Sequence, residues 1–180
     1  MLEVLSDYGI PLGIPGGGIL SRDEVHAKEL LHRIALVAII NSDNRILIQH
    51  RSANKKLFPN AWDISIAAHV LAGEDSVMTA MRETNEEIGF QIERKIQAKE
   101  FRFLTSFRED LHLPDRTEKH WYDLFVLIKD IDEVELRFND SEVDEIKWAS
   151  YTDICKLKEE GKLFPRTYWI KPVFKLINRL

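Results

Sequence analysis

Ala68-His-Val-Leu-Ala-Gly-Glu74 leads, after seven intervening residues, into Arg82-Glu-Thr-Asn-Glu-Glu-Ile-Gly89-Phe90. Between Asp75 and Ile88 there is neither proline nor glycine, and Gly89 stands where a helix would stop, so the segment reads as a helix. At about 100° per residue, Val77, Met81, Thr84 and Ile88 share one stripe, the face expected to bury against a sheet. Glu83, Glu86 and Glu87 gather on the other side, within about 100° of one another. Like charges so placed destabilise an isolated helix by about 0.2–0.5 kcal/mol per pair. A hard divalent cation reverses that sign, because Mg2+ takes oxygen ligands and binds through one or two carboxylates plus substrate phosphates. Arg82 can hold one of the glutamates through paired N–H donors. A solvated acidic helix face is the plain alternative, and the three glutamates alone do not decide between them.

Working outward, residues 1–20 are short apolar pieces broken by glycine and proline, which suits a strand, a turn and a second strand. Ser21 and Glu24 have capping-box spacing at the head of a short helix reaching Leu31. Ile34–Ile40 and Arg45–His50 read as strands around the turn cluster Asn41-Ser-Asp-Asn44, and residues 52–60 as a loop. Trp62–Val70 reads as one further strand. After the helix, strands are expected at Lys99–Phe107, His120–Lys129 and Glu145–Ala149, and helices at Thr152–Glu160 and Pro172–Leu180. Strands mixed with few helices make an α/β layer structure with a mixed sheet. No linker, repeat or low-complexity stretch interrupts it. One domain over 1–180 is expected: an N-terminal β-hairpin and short helix (1–30), a core (31–150) and C-terminal helices (151–180).

The balance of 30 acidic against 25 basic residues, net charge -5, argues against a non-specific nucleic-acid binder. It leaves room for a small phosphorylated substrate, which needs only a few local cations. A single cysteine, Cys155, allows no internal disulfide. The N-terminus lacks a basic start with an apolar run, and no apolar stretch approaches the ~20 residues that span a bilayer. A cytoplasmic protein without membrane association is expected.

The pattern from Glu74 to Phe90 resembles the signature of the Nudix hydrolases: glycine, five residues, glutamate, seven residues, Arg-Glu, an aliphatic, one residue, Glu-Glu, one residue, glycine, an aliphatic. Ala68 stands in place of the first glycine and Thr84 in place of the aliphatic. Neither departure removes a charged group. The resemblance implies an α/β/α sandwich and a metal site on a strand–loop–helix, with Mg2+ or Mn2+ as cofactor. Glu86 and Glu87 would be ligands, Glu83 a ligand or the general base, and Arg82 with Glu74 would steady them. Homodimers are frequent in that family.

The likeness extends further. His32-Arg33, Gln49-His-Arg51-Ser52, Lys55-Lys56, Pro59-Asn-Ala-Trp-Asp63 and His69-Val70 resemble the Nudix branch that includes isopentenyl-diphosphate isomerase. That likeness implies diphosphate contacts from Arg51 and Lys55. It also implies a second divalent-metal site near His26, His32, His69 and Glu118, with His120 where a further glutamate would stand. In the isomerases a catalytic cysteine precedes the Gly-His pair; here that position is Ala67. Read as ordinary structure, His32 and His69 would close strands and His26 would lie on a helix surface. In related hydrolases a late glutamate assists the metal or the water, which makes Glu142 and Glu145 candidates. Trp62, Phe103 and Trp121 are candidates to stack on a substrate base, with core packing the expectation preferred for each, and Phe107–Lys119 is expected to be a selectivity loop.

The expectation is a metal-dependent hydrolase cleaving a diphosphate linkage in a nucleotide or a nucleoside-diphosphate-linked compound. Its rivals are a non-catalytic nucleotide-sensing module and, with Ala67 against it, an isoprenoid diphosphate isomerase.

Overall fold

The computed structural model describes residues 1–12, 18–90, 92, 100–132, 136 and 142–179. Gly16, Gly17, Lys99 and Leu180, each part of an expected element, lie outside them.

Two short strands, β1 (Leu2–Glu3) and β2 (Ile19–Leu20), pair antiparallel and form the expected N-terminal hairpin. Helix α1 (Arg22–Ala27) follows with the Ser21–Glu24 capping box complete. It is shorter than expected: Glu29 takes a left-handed φ of 51°, which breaks the helix before Leu31.

The centre of the molecule is β3 (His32–Ile40), whose aliphatic run is almost wholly buried because sheet or helix covers both of its faces. It pairs in parallel with β8 (Thr117–Ile128) and antiparallel with β6 (Ile66–His69). The mixed sheet expected from the sequence is therefore present. On the edge of β3 away from β8, β6 gives way to β4 (Ile46–Arg51), which is flanked by β5 (Trp62–Ile64) and β9 (Val143–Ala149), both antiparallel to it. Strands β3 and β4 share one register pair, Ile40 with Ile46, and then diverge.

Trp62–Val70 is not one strand but two, split at Ser65 between β5 and β6. The buried Ser65 hydroxyl donates to the Leu47 carbonyl at 2.5 Å and accepts from the Ile39 amide at 2.9 Å. A side chain thus spans the gap where β3 and β4 separate and backbone pairing cannot. Alternation of apolar residues does not reveal this, because a strand that changes partner keeps its period.

Helix α2 (Ser76–Ile88) packs on β3 and β6 over a core containing Ala35, Val37, Ile39, Ala80 and Ile88. Helices α3 (Tyr151–Glu159) and α4 (Ile170–Ile177) cover the opposite core, around Leu36, Tyr122, Trp169 and Val173. The layers are α/β/α. Strand β7 (Phe101–His112) forms a long hairpin with β8. Phe107–Lys119 is accordingly not a loop: most of it is strand, with only the tip between the two left to turn. Trp62 is buried as expected, but Phe103 is exposed on β7. No helix among the described residues is long and apolar enough to cross a membrane.

Candidate active site

Asp75 caps α2, its carboxylate accepting from the Met78 amide, and Gly89 closes the helix in the left-handed conformation at φ 71°. The buried stripe is rotated from the one the apolar residues suggest. Val77 is exposed, while Ser76, Thr79, Ala80, Thr84, Glu87 and Ile88 are buried. Polar partners in the protein draw this face inward. Ser76 donates to Asp123 at 2.5 Å, Thr79 to Glu74 at 2.8 Å, and Gln49 to Glu87 at 3.1 Å. Asp123 also receives Arg33 at 2.6 Å and Ser106 at 2.5 Å, which ties the start of α2 to β3, β7 and β8.

Rotation of the face separates the three glutamates. Glu86 is exposed, Glu83 is half-buried, and Glu87 is 7% exposed. Arg82 reaches Glu74 through two hydrogen bonds, Glu83 at 2.7 Å and Glu86 at 2.9 Å. The Arg82 bonds hold Glu74 below the usual carboxylate range. Glu87 behaves oppositely: desolvation first, then the charges of Glu83 and Glu142, push it up to about 8. Burial likewise raises Glu83. Carboxylates raised by burial and by one another make a site short of positive charge, which a divalent cation with oxygen ligands fits.

Of the two late glutamates, the structure brings Glu142 to this cluster and leaves Glu145 out. Glu142 lies just ahead of β9 and accepts from Lys55 at 2.6 Å, while its backbone carbonyl receives the Ser52 amide. Glu145 is exposed on β9, opposite His50. Arg51 gives Nε to the Phe58 carbonyl at 3.2 Å and Nη2 to the Leu57 carbonyl at 2.9 Å, so most of its donors shape the loop between β4 and β5. Its Nη1 faces Asp63 at 3.7 Å, beyond hydrogen-bond length.

A second polar cluster sits at the start of β3. His26, His32, His69 and His120 each offer a ring nitrogen, all within 4.8 Å of one another. Adjacent positions in register explain the convergence, since His32 pairs with His120 across the parallel β3–β8 ladder. His26, expected on a helix surface, turns inward from α1. The members differ from the sequence expectation in one place. Glu118 is buried but binds His26 and Arg116, and His120 supplies the fourth nitrogen. His32 Nδ1 meets the Leu30 carbonyl at 2.9 Å and His120 Nδ1 meets the Tyr122 hydroxyl at 2.9 Å, while Nε2 of both rings is buried with no hydrogen-bond partner among the described residues. Desolvation brings His32 down to about 4 and holds His69 and His120 well below the usual imidazole range. Imidazole nitrogens gathered this closely, with burial holding His32, His69 and His120 in the neutral form, are a donor set for a transition metal.

Comparison with known proteins gives the family. The NUDIX domain family matches residues 30–169. The chain belongs to the Nudix family. It is 28% identical over 157 residues to an uncharacterized Nudix hydrolase of Listeria monocytogenes, covering 87% of this chain and 85% of that protein. It is also 26% identical over 172 residues to the isopentenyl-diphosphate Delta-isomerase of Haloarcula marismortui, covering 90% and 83%. In fold it resembles the Deinococcus radiodurans protein DR0079, with a TM-score of 0.69, 22% identity and 97% of each chain covered. The resemblance to both hydrolase and isomerase branches that the sequence shows is thus found again among relatives, and a Nudix hydrolase is supported.

The two departures from the Nudix signature have local explanations. Thr84 is buried, and its hydroxyl donates to the Ala80 carbonyl at 2.6 Å, so a polar residue replaces an aliphatic one without an unpaired group. Ala68 lies in β6, paired with Ala35, and is not among the residues with positive φ, so no glycine is required there. Ala67, in the isomerase-cysteine position, is half-buried opposite Leu36, and Cys155 sits on α3.

Sequence reasoning missed Gln49 as a partner of Glu87, and it missed the pair Asp63–Arg166. Arg166 donates Nε to Asp63 at 3.2 Å and Nη2 to its other oxygen, and both residues are buried. No pattern in the sequence marks a pairing between positions so far apart.

Proposed function

We propose that this Nudix protein hydrolyses a diphosphate linkage in a nucleotide or a nucleoside-diphosphate-linked compound, using Mg2+ or Mn2+ held by Glu83, Glu86 and Glu87. The supporting observation is the division of labour around α2: Arg82 fixes Glu74, Glu83 and Glu86 from the front, while Glu87 is buried behind them near Glu142. Bound there, the ion would neutralise the diphosphate and activate a coordinated water.

Glu83 is half-buried, raised by desolvation and held in place by Arg82, which suits a group that takes a proton from the attacking water. Glu142 assists from the far side. Lys55, paired with Glu142 in the free protein, exchanges that carboxylate for a substrate phosphate; Arg51 offers Nη1. The intact acids argue against a purely sensing module, and Ala67 removes the thiol on which isomerisation would rest. All of 1–180 is taken as one domain in this reading.

The imidazole cluster supports a second reading beside the first: a divalent metal held by His26, His32 and His69, with Glu118 in support and His120 as a further ligand. The two buried Nε2 atoms that receive no hydrogen bond among the described residues favour it.

The test is product analysis. Purified protein is incubated with a panel of nucleoside-diphosphate-linked compounds and with isopentenyl diphosphate. Release of phosphate or nucleotide from panel members, with isopentenyl diphosphate unconverted, is expected. Conversion of isopentenyl diphosphate to its isomer would overturn the reading.

A further inference from the structure

Glu87 differs from the other acids of α2 in how it is held. Arg82 satisfies Glu74, Glu83 and Glu86, but it does not reach Glu87. Among the described residues, the one hydrogen-bond donor to Glu87 is the side-chain amide of Gln49, at 3.1 Å from Nε2 to Oε2. Both side chains are buried, at 5% and 7% exposure. Gln49 sits in the middle of β4, locked between Asp63 of β5 and Ile146 of β9, so its position is set by two ladders rather than by a mobile loop.

The chemistry of the amide suits this place. A carboxylate buried without a donor loses the full hydration of its charge. A lysine or arginine would supply a donor but would also neutralise the charge and compete with any cation. A neutral amide donates one N–H and brings no charge of its own, so it does not compete with a cation for the carboxylate. It also fixes one carboxylate oxygen, Oε2, so that the second oxygen has a defined direction. Metal ligands are held in this way by outer partners, whose loss lowers metal affinity by roughly 10- to 100-fold.

We infer that Gln49 is a positioning residue for the metal site: its buried amide anchors one oxygen of Glu87 and aims the other at the cation. This rests on the reading of Glu87 as a metal ligand given above. Gln49 is not a catalytic residue, since it touches neither substrate nor ion in this arrangement.

The experiment measures the Mg2+ concentration at which thermal stabilisation of the full chain is half complete, alongside the Mg2+ dependence of turnover. Mg2+ is chosen because it prefers carboxylates to imidazoles, which keeps the histidine cluster out of the readout. Wild type is compared with Gln49→Met, close in volume but without the donor, and with Glu87→Gln as the reference for a lost ligand. The inference expects the Mg2+ midpoint of Gln49→Met to rise by about 10- to 100-fold in both assays. Turnover at saturating Mg2+ should stay within a few-fold of wild type. Gln49→Asn, which keeps a buried amide but withdraws it from Glu87, should behave like Gln49→Met and serves if the latter fails to fold. A lower melting temperature without metal, combined with an unchanged Mg2+ midpoint, would reduce Gln49 to a packing role and overturn the inference. A wild type that shows no Mg2+ midpoint, or a Glu87→Gln variant with an unchanged one, would instead defeat the metal reading itself, and the inference with it.

Discussion

Arg82 meets Glu74 through two hydrogen bonds, Nε to Oε1 at 3.2 Å and Nη2 to Oε2 at 3.0 Å, joining the loop before α2 to its middle. The remaining nitrogen, Nη1, serves Glu83 and Glu86. A planar fork can meet three carboxylates in this way, and a single ammonium cannot. Arg82→Lys is expected to keep the fold and the net charge while lowering turnover by about 100-fold, the scale of loss when a reacting group is misplaced by about 1 Å. Steady-state kinetics at saturating metal, with circular dichroism as the folding control, checks this. Turnover near wild type would mean that charge alone suffices at this position.

The buried pair of Asp63 and Arg166 fastens the segment before α4 to β5. Phe164 lies between Arg166 and Arg51, whose guanidinium carbons stand 4.3 and 4.9 Å from its ring centre. Arg166→Met removes the guanidinium hydrogen-bonded to buried Asp63 and leaves it Arg51 Nη1 at 3.7 Å. Removing one member of a buried ion pair costs about 3–5 kcal/mol. Urea unfolding should show a loss of that size, whereas Lys162→Met, on an exposed pair with Glu160, should change stability by less than about 1 kcal/mol.

The fold was legible wherever local signals carried it. Ser21 with Glu24 named the start of α1, Gly89 named the end of α2, and the aliphatic run of β3 marked a strand buried on both faces. The face of α2 was not legible from apolar residues. Val77 lost its place to Ser76, Thr79 and Glu87, each drawn in by a partner from another element. The split at Ser65 depends on a single hydroxyl bridging two diverging strands, a contact that periodicity does not record. In the site, the helical spacing of Glu83, Glu86 and Glu87 was enough to group the acids. It could not say that Glu87 would be buried, nor separate Glu142 from Glu145, because burial and loop path are set by tertiary packing. In the sequence His120 stands where a further glutamate would be, and the parallel register with His32 is what brings it into the cluster.

The histidine cluster gives the metal-free protein a defined acid sensitivity. Burial lowers His32 to about 4, against about 6.5 when unfolded, and lowers His69 and His120 in the same direction. Between those values the unfolded chain binds more protons than the folded one, so stability falls as pH drops from about 6.5 toward 4. Above 6.5 these groups contribute no slope. Glu87, raised to about 8, works in the opposite sense between about 4.5 and 8, because there the folded state holds the extra proton. Thermal melts in chelator across pH 4.5–8 separate the two. His32→Gln should reduce the loss on the acid side, and Glu87→Gln should reduce the loss on the alkaline side. Variants with the wild-type profile would contradict the assignment of these shifts.

The central claim is that the acids of α2 hold the metal that drives diphosphate cleavage, and Glu86 tests it most directly. Its side chain is 54% exposed, so Glu86→Gln should leave the fold intact. Cleavage of the panel of diphosphate compounds, read as the nucleoside monophosphate and the phosphorylated partner group formed, would be measured with Mg2+, with Mn2+ and with chelator, for wild type and Glu86→Gln in parallel. The account predicts cleavage that requires metal and disappears in the variant. Full activity of Glu86→Gln at saturating Mg2+, or cleavage by wild type that persists in chelator, would contradict it.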